Sequence, residues 1–483
     1  MKRDNLVACT IDLTEGCNLA CDYCFTYSKH KKRVLPLDLG KRIIDWWLPQ
    51  TDPTKHIQMS FWGGEPLLEF ERMKKLIAHA NELNKDLKRD IEYGGTTNGV
   101  LYTPDKVEWC AENRSLFLIS LDGVKAAHDM HRKFPNGKGS FDIVIKNLKE
   151  ALKIAPMHQI RFSISVDTIP YFFETIQFMV EELGIKNCAF SPVFEDQWLD
   201  GDYLDQMSEQ FDLAIEYGIK HLKRGEHIRM KHLDDEARMN NKIMDRVPNP
   251  CGAGNFYMGW GVDGYGWPCH RFNKHGISTD VRAKSPLIIA RPTGDSFEWC
   301  NEEWINSFRT FSEKMKGKCL DCDLYARSSC AGGCYATNLD LTGSIYKPAA
   351  AECAYNHVLH AAGLRYAKRM KEEGVELPQT FNRNMQKNVK EDKCVCYNMC
   401  YAEGTKQEII HKDARTGMAC HCYQTAYTGN YPATPLSEKR AGEEMKKRFL
   451  ELSKRILATQ DEPKTEEERK MEQEILKKTS EML

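Results

Sequence analysis

Six short β-branched and apolar runs, each trailed by a longer amphipathic stretch, fill the chain from residue 5 to about 225. LVACTIDL at 6–13 reads as the first strand and HIQMSFW at 56–62 as the second. Further strands are expected near 91–97, 116–121, 159–166 and 187–193. Helices are expected over Leu37–Trp47 and Glu69–Lys85, while Pro104 and Pro170 sit near helix starts, where proline is tolerated. Six β–α repeats predict an α/β fold with a parallel sheet curled into a partial (β/α)6 TIM-like barrel. Ligands on such a sheet sit at the C-terminal strand ends.

From about 250 to 355 the regular alternation fades. CGAGNFYMGWGVDGYGWPCH, from Cys251, is rich in glycine and aromatics and predicts turns and hairpins. NHVLHAAGLRYAKRMKEEG, after Cys353, predicts a helix, and the Lys- and Glu-dense tail from about 437 to 483 reads as solvated helix. The expected divisions are a barrel over 1–230, a small cysteine-rich domain over 250–360 and a helical C-terminal extension over 361–483.

Net charge is −1, from 68 basic and 69 acidic residues, so global electrostatics recommend neither nucleic acid nor a membrane surface as partner. The start MKRDNLVACTIDL is too short and polar for a secretory signal, and no apolar run reaches the ~20 residues of a membrane helix. A cytoplasmic location is expected, and with it reduced thiols. The 19 cysteines are bunched: three within 17–24, eight between 251 and 353, and five between 394 and 422. In a reducing compartment such bunching reads as metal ligation rather than disulfides.

The first bunch is Cys17-x3-Cys21-x2-Cys24, in the loop after strand one. Three thiolates at this spacing can hold three irons of a 4Fe-4S cluster and leave the fourth open. A zinc site would want a closed set of four ligands.

EGCNLACDYCF, placed after a first strand, resembles the radical S-adenosylmethionine (SAM) superfamily. In that family the open iron takes the amino and carboxylate groups of SAM, and an electron then cleaves the sulfonium to give a 5′-deoxyadenosyl radical. The resemblance implies that Tyr23 packs near the adenine. Gly63, Gly64 and Glu65, in the GGEP run after strand two, match the element that binds the cofactor's amino group. Glycines there would let backbone approach a ligand. Asn98 of the Thr97-Asn98-Gly99 run joins the implied cofactor-binding set. Ser120 and Arg132 fall to the ribose and carboxylate region. Read alone, GGEP is also an ordinary turn, and Ser120 and Arg132 are also a helix cap and a solvated salt bridge.

Cys251, Cys269, the Cys319-x2-Cys322-x7-Cys330-x3-Cys334 run and Cys353 resemble the SPASM extension, which carries two auxiliary 4Fe-4S clusters in enzymes acting on peptides and proteins. By that resemblance Cys319, Cys322, Cys330 and Cys353 ligate one auxiliary cluster, and Cys251, Cys269 and Cys334 serve the other. The seven-residue gap departs from the usual five. The three-ligand site needs Cys300 as its fourth or else leaves an iron open. Three 4Fe-4S clusters and SAM are therefore the expected cofactors. Cys394, Cys396, Cys400, Cys420 and Cys422, with His411 and His421, match no family pattern and could hold a further cluster or zinc, or be incidental thiols.

SPASM enzymes divide by target. Sulfatase maturases place an aspartate base after the second cysteine of this region; here the residue is His270, a candidate base because imidazole titrates near neutrality. The Pro268-Cys269-His270-Arg271-Phe272 run looks more like maturases that crosslink cysteine-rich peptides through thioethers. The expected substrate is a peptide or protein. An external electron donor of flavodoxin or ferredoxin type is expected, and a separate leader-peptide carrier, because the sequence given begins at strand one. Formylglycine formation in a sulfatase, action on a small molecule, and electron transfer without catalysis are the alternatives.

Overall fold

The computed structural model describes residues 4–26, 33–115, 117–156, 160–239, 242–243, 249, 251–315, 319–326, 330–378 and 434–435. The cysteine-rich patch at 394–422 and the charged tail lie outside the described residues. The chain divides into two compact bodies. One holds residues 1–162 and 249–310, the other 163–248 and 311–379.

In the first body, β1 (Ala8–Thr14), β2 (His56–Gly63), β3 (Asp90–Thr97), β4 (Phe117–Ser120) and the start of β5 (Ile160–Ile164) lie side by side in chain order. All four pairings are parallel, with Thr10 opposite Ser60 and Ser120 opposite Arg161. Every residue of β1 is buried, as expected of a central strand in a parallel sheet covered on both faces. Helix α1 (Leu37–Trp47) contributes Ile43, Ile44 and Trp47 to the core. Helix α2 (Phe70–Leu87) adds Met73, Leu76, Ile77 and Ala80, spaced three and four apart along one face. Pro104 opens α3 (Pro104–Glu112) at its first turn. The strands and helices expected from the alternation stand within a few residues of their places, and the α/β class with a parallel core holds.

Strands beyond the six expected join this sheet. Tyr257–Trp260 pairs in parallel with β1 on the side away from β2, Ala8 facing Tyr257. It turns back antiparallel into Gly266–Trp267, and a hairpin of Ala290–Thr293 and Ser296–Trp299 completes that edge. The glycine-rich stretch is thus the hairpin its composition implied, but its first arm also lengthens the barrel sheet.

In the second body, β6 (Asn187–Pro192) pairs in parallel with β7 (Arg229–Met230). A long helix, Ala350–Glu373, packs against the helices Tyr203–Leu222 and Lys231–Met239. That helix covers the segment expected to be helical and begins six residues earlier, taking Cys353 into its first turn.

Candidate active site and metal centres

The loop after β1 carries Cys17, Cys21 and Cys24, all half-buried. Leu19 N–H donates to Cys17 Sγ at 3.4 Å, and Cys24 Sγ lies 3.2 Å from Thr26 Oγ1. Both glycines of the β2 turn are explained by this loop. A Cβ on Gly63, whose φ is +129°, would lie 2.0 Å from Thr14 O, and one on Gly64 would lie 2.2 Å from Gly16 O. The backbone completes the join: Gly64 N–H donates to Thr14 O at 2.8 Å and Glu65 N–H to Gly16 O at 2.9 Å. The close approach these glycines permit is to the cysteine loop.

Glu65 then joins a third strand end to the first two. Its carboxylate, buried in the protein, accepts Leu67 N–H (3.0 Å) and Thr97 Oγ1–H (2.8 Å) on Oε1 and Asn98 N–H (2.8 Å) on Oε2. Burial pushes its pKa up to about 7 against the pull of these donors. Asn98 continues the chain: its Nδ2 donates to Asn18 Oδ1 at 2.7 Å and reaches Cys17 Sγ at 3.7 Å, and its Oδ1 accepts Val100 N–H. The turns after β1, β2 and β3 therefore form one hydrogen-bonded unit around Cys17.

The fourth strand end brings Asp122. Its buried carboxylate accepts Arg132 Nε–H at 2.7 Å and the Tyr23 hydroxyl, and the Arg132 guanidinium lies over the Tyr23 ring, 5.6 Å from its centroid. Burial opposes the charge of Arg132, but Asp122 and Tyr23 hold it firmly cationic. His131 Nδ1 lies 2.8 Å from Asp22 Oδ1 and packs on Tyr23. Burial, reinforced by Arg132, lowers the pKa of His128 to about 4. The neutral ring accepts Asp122 N–H on Nδ1, donates from Nε2 to Ser140 Oγ, and Ser140 donates to Arg132 O. Tyr23 and Arg132, assigned to the cofactor by resemblance, are thus brought together. Ser120 stands at the end of the same strand, half-buried.

A buried ionic network escaped the sequence. Glu15, fully buried, accepts a two-point fork from Arg33 (2.9 and 2.7 Å) and a bond from Arg282 Nη2 (2.5 Å), while Arg282 Nη1 donates to Asp263 (3.0 Å). Three residues earlier, on β1, Asp12 Oδ2 accepts Asn273 Nδ2 (2.6 Å) and faces His275 Nε2 (2.9 Å). Glu15 stands two residues before Cys17, which was the one local signal. Its partners lie 18 and 267 positions away.

His270 opens a short helical turn after Cys269. Its ring lies 4.1 Å from the Trp62 ring, at the end of β2, and 5.9 Å from Phe25, next to Cys24. Its Nδ1 is 2.7 Å from Tyr257 OH, which is 3.3 Å from Thr10 Oγ1. The structure therefore sets His270 beside the strand ends of β1 and β2. Cys251 and Cys269 lie in the same body, their loops joined by Gly254 N–H donating to Pro268 O at 2.9 Å. Cys300 lies at the outer hairpin, where burial pushes its thiol up to about 11 among Arg291 and Glu298. Cys334 belongs to the second body.

The second body gathers Cys319, Cys322, Cys330 and Cys353. Burial raises the thiol pKa values of Cys330 and Cys353; Cys319, Cys322 and Glu352 raise both further, and Cys330 also raises Cys353. Thiols arranged to repel one another when ionised fit a cationic centre that would hold them as thiolates. Among the described residues no three Cys, His, Asp or Glu side chains are drawn tightly enough to grip a single ion. A four-iron cube does not require it, since each thiolate binds its own iron. The loop is held from two helices: both Glu352 oxygens, on the long helix, accept Cys334 N–H at 3.0 Å, and Asn338 Nδ2, on the helix Tyr335–Thr342, donates to Gly332 O.

Comparison with known proteins agrees with this geometry. The family described as the radical SAM superfamily matches residues 11–179. The radical SAM cyclopropyl synthase TigE of Paramaledivibacter caminithermalis is 26% identical over 273 residues, covering 52% of this chain and 54% of its own length. The serine-type anaerobic sulfatase-maturating enzyme of Bacteroides thetaiotaomicron is 29% identical over 210 residues, 41% of this chain and 49% of that one. The chain spans about half the length of the curated relatives it matches. Among solved structures, native anSMEcpe with bound AdoMet and Cp18Cys peptide superposes with a TM-score of 0.56 at 18% identity, covering 76% of this chain and 99% of that one, a likeness of fold. No described helix is long and apolar enough to cross a membrane. The cysteine loop, the three strand-end turns bonded to it and the family match have one reading: residues 11–179 are a radical SAM domain.

Proposed function

We propose that the chain is a radical SAM oxidoreductase that modifies a peptide or protein residue, crosslinking it through a thioether or similar bond. The carrying observation is the bonded unit of Cys17, Glu65 and Asn98, with Arg132 and Tyr23 at the next strand end. Cys17, Cys21 and Cys24 would hold a 4Fe-4S cluster, and that cluster with SAM supplies the 5′-deoxyadenosyl radical that takes a hydrogen atom from the substrate. The protein's own work is orientation. The buried Arg132, held cationic by Asp122, suits a carboxylate, and the ring of Tyr23 suits an adenine face.

Closing a carbon–sulfur bond from the substrate radical and a thiol releases one electron and one proton. Cys319, Cys322, Cys330 and Cys353 would hold the acceptor of that electron as an auxiliary cluster. His270, held by Tyr257 beside Trp62, would receive the proton. Oxidation of a sulfatase cysteine or serine to formylglycine is the second reading, favoured by the 29% identity to a serine-type maturase. Mass spectrometry of candidate peptides after incubation with reduced protein and SAM separates them: a crosslink leaves two residues joined, whereas formylglycine leaves a single aldehyde. An unchanged peptide alongside SAM cleavage would contradict a peptide substrate.

A further inference from the structure

The long helix Ala350–Glu373 presents more than Cys353 to the thiol nest. Residues 353, 356 and 357 are three and four apart and so share one helical face. Asn356 Nδ2 donates toward Cys330 Sγ at 3.9 Å, and His357 Nε2 lies 4.0 Å from Cys322 Sγ. A third donor comes from the loop itself, where Gly332 N–H reaches Cys330 Sγ at 3.3 Å. Gly332, at φ +87°, takes the left-handed conformation that turns this N–H inward, and a Cβ there would lie 2.4 Å from Met315 Cε. Asn356 and His357 belong to neither cysteine pattern of the sequence.

We infer that Asn356 and His357 are positioning residues that donate hydrogen bonds to the Cys330 and Cys322 thiolates and raise the reduction potential of the cluster those cysteines hold. The inference rests on the auxiliary-cluster reading above. A ligating thiolate carries no proton and can only accept, so a neutral imidazole facing it must carry its proton on Nε2. Each such bond drains charge from sulfur and favours the reduced, more negative state of the cluster. Such a centre suits the acceptance of an electron from a substrate radical. One helix face would then supply a ligand and the bonds that set that ligand set's potential.

The test uses the full chain with Cys17, Cys21, Cys24, Cys251, Cys269, Cys394, Cys396, Cys400, Cys420 and Cys422 changed to Ala, leaving the four-thiol nest to be reconstituted with iron and sulfide. Iron per chain and the midpoint potential of its electron paramagnetic resonance signal are measured with and without His357→Phe, Asn356→Leu and His357→Gln. Retained iron with a negative shift in His357→Phe and Asn356→Leu, partly restored in His357→Gln, is expected. An unmoved potential at equal iron content would overturn the inference. So would loss of iron in both His357 variants, which would make the ring a packing element. Failure of the parent itself to bind four irons would overturn the inference by sinking the auxiliary-cluster reading first.

Discussion

Glu65 Oε2 accepts the backbone N–H of Asn98 at 2.8 Å, locking the turn after β2 to the turn after β3. The same carboxylate takes two further donors on its other oxygen. An amide has one acceptor oxygen and would turn its NH2 toward at least one of these donors. Glu65→Gln is therefore expected to lower unfolding free energy by about 1–3 kcal/mol and to weaken SAM binding about tenfold. Denaturant titration and equilibrium binding check the two effects; wild-type values for both would show that the clamp positions nothing.

Glu15 is the shared acceptor of two guanidinium groups, and Arg282 is almost wholly buried with it. Removing the carboxylate leaves Arg282 with Asp263 as its remaining anionic partner. Glu15→Ala is expected to cost about 3–5 kcal/mol of stability, because an undercompensated buried charge remains. Loss of stability below 1 kcal/mol in chemical denaturation would mean the network relaxes into solvent.

His56 predicts a pH effect on stability. It lies 2.8 Å from Asp90 and 3.2 Å from Glu92; burial works against its charge, but the two carboxylates raise its pKa to about 9. The folded-state value exceeds the ordinary 6.5, so the protonated pair stabilises fully below pH 6.5. That contribution, about 3 kcal/mol, fades as pH rises from 6.5 through 9. His56→Gln should flatten this part of the stability–pH curve, measured by urea unfolding; an unchanged slope would contradict the assignment.

Cys322→Ala separates cofactor cleavage from product formation. The nest lies in the second body and the Cys17 loop in the first, so the variant is expected to make 5′-deoxyadenosine at near wild-type rate while crosslinked product falls at least tenfold. Chromatography of both products checks it. Unchanged product would remove the auxiliary role.

Much of the fold was legible because parallel strands announce themselves as short apolar runs, and the helix at Leu37–Trp47 stands where its pattern put it. The cysteine loop, the GGEP turn and the Asn98 turn were legible because their residues recur at strand ends. The strand Tyr257–Trp260 was not, since its glycine-flanked aromatics give no β-branched signal. Glu15 with Arg282, and Asp12 with His275, were invisible because pairing across some 260 residues leaves no local trace. The close approach of the Thr14 and Gly16 backbone to Gly63 and Gly64 was also invisible, because it joins turns some fifty residues apart.

Cys17, Cys21 and Cys24 are the proposed starting point of radical chemistry on SAM. The most direct measurement is 5′-deoxyadenosine formed by reduced, iron-reconstituted protein given SAM, with Cys21→Ala alongside. Formation by the wild type and its loss in Cys21→Ala is the result expected. No 5′-deoxyadenosine from protein with a fully loaded cluster, or equal amounts from both proteins, would contradict the claim.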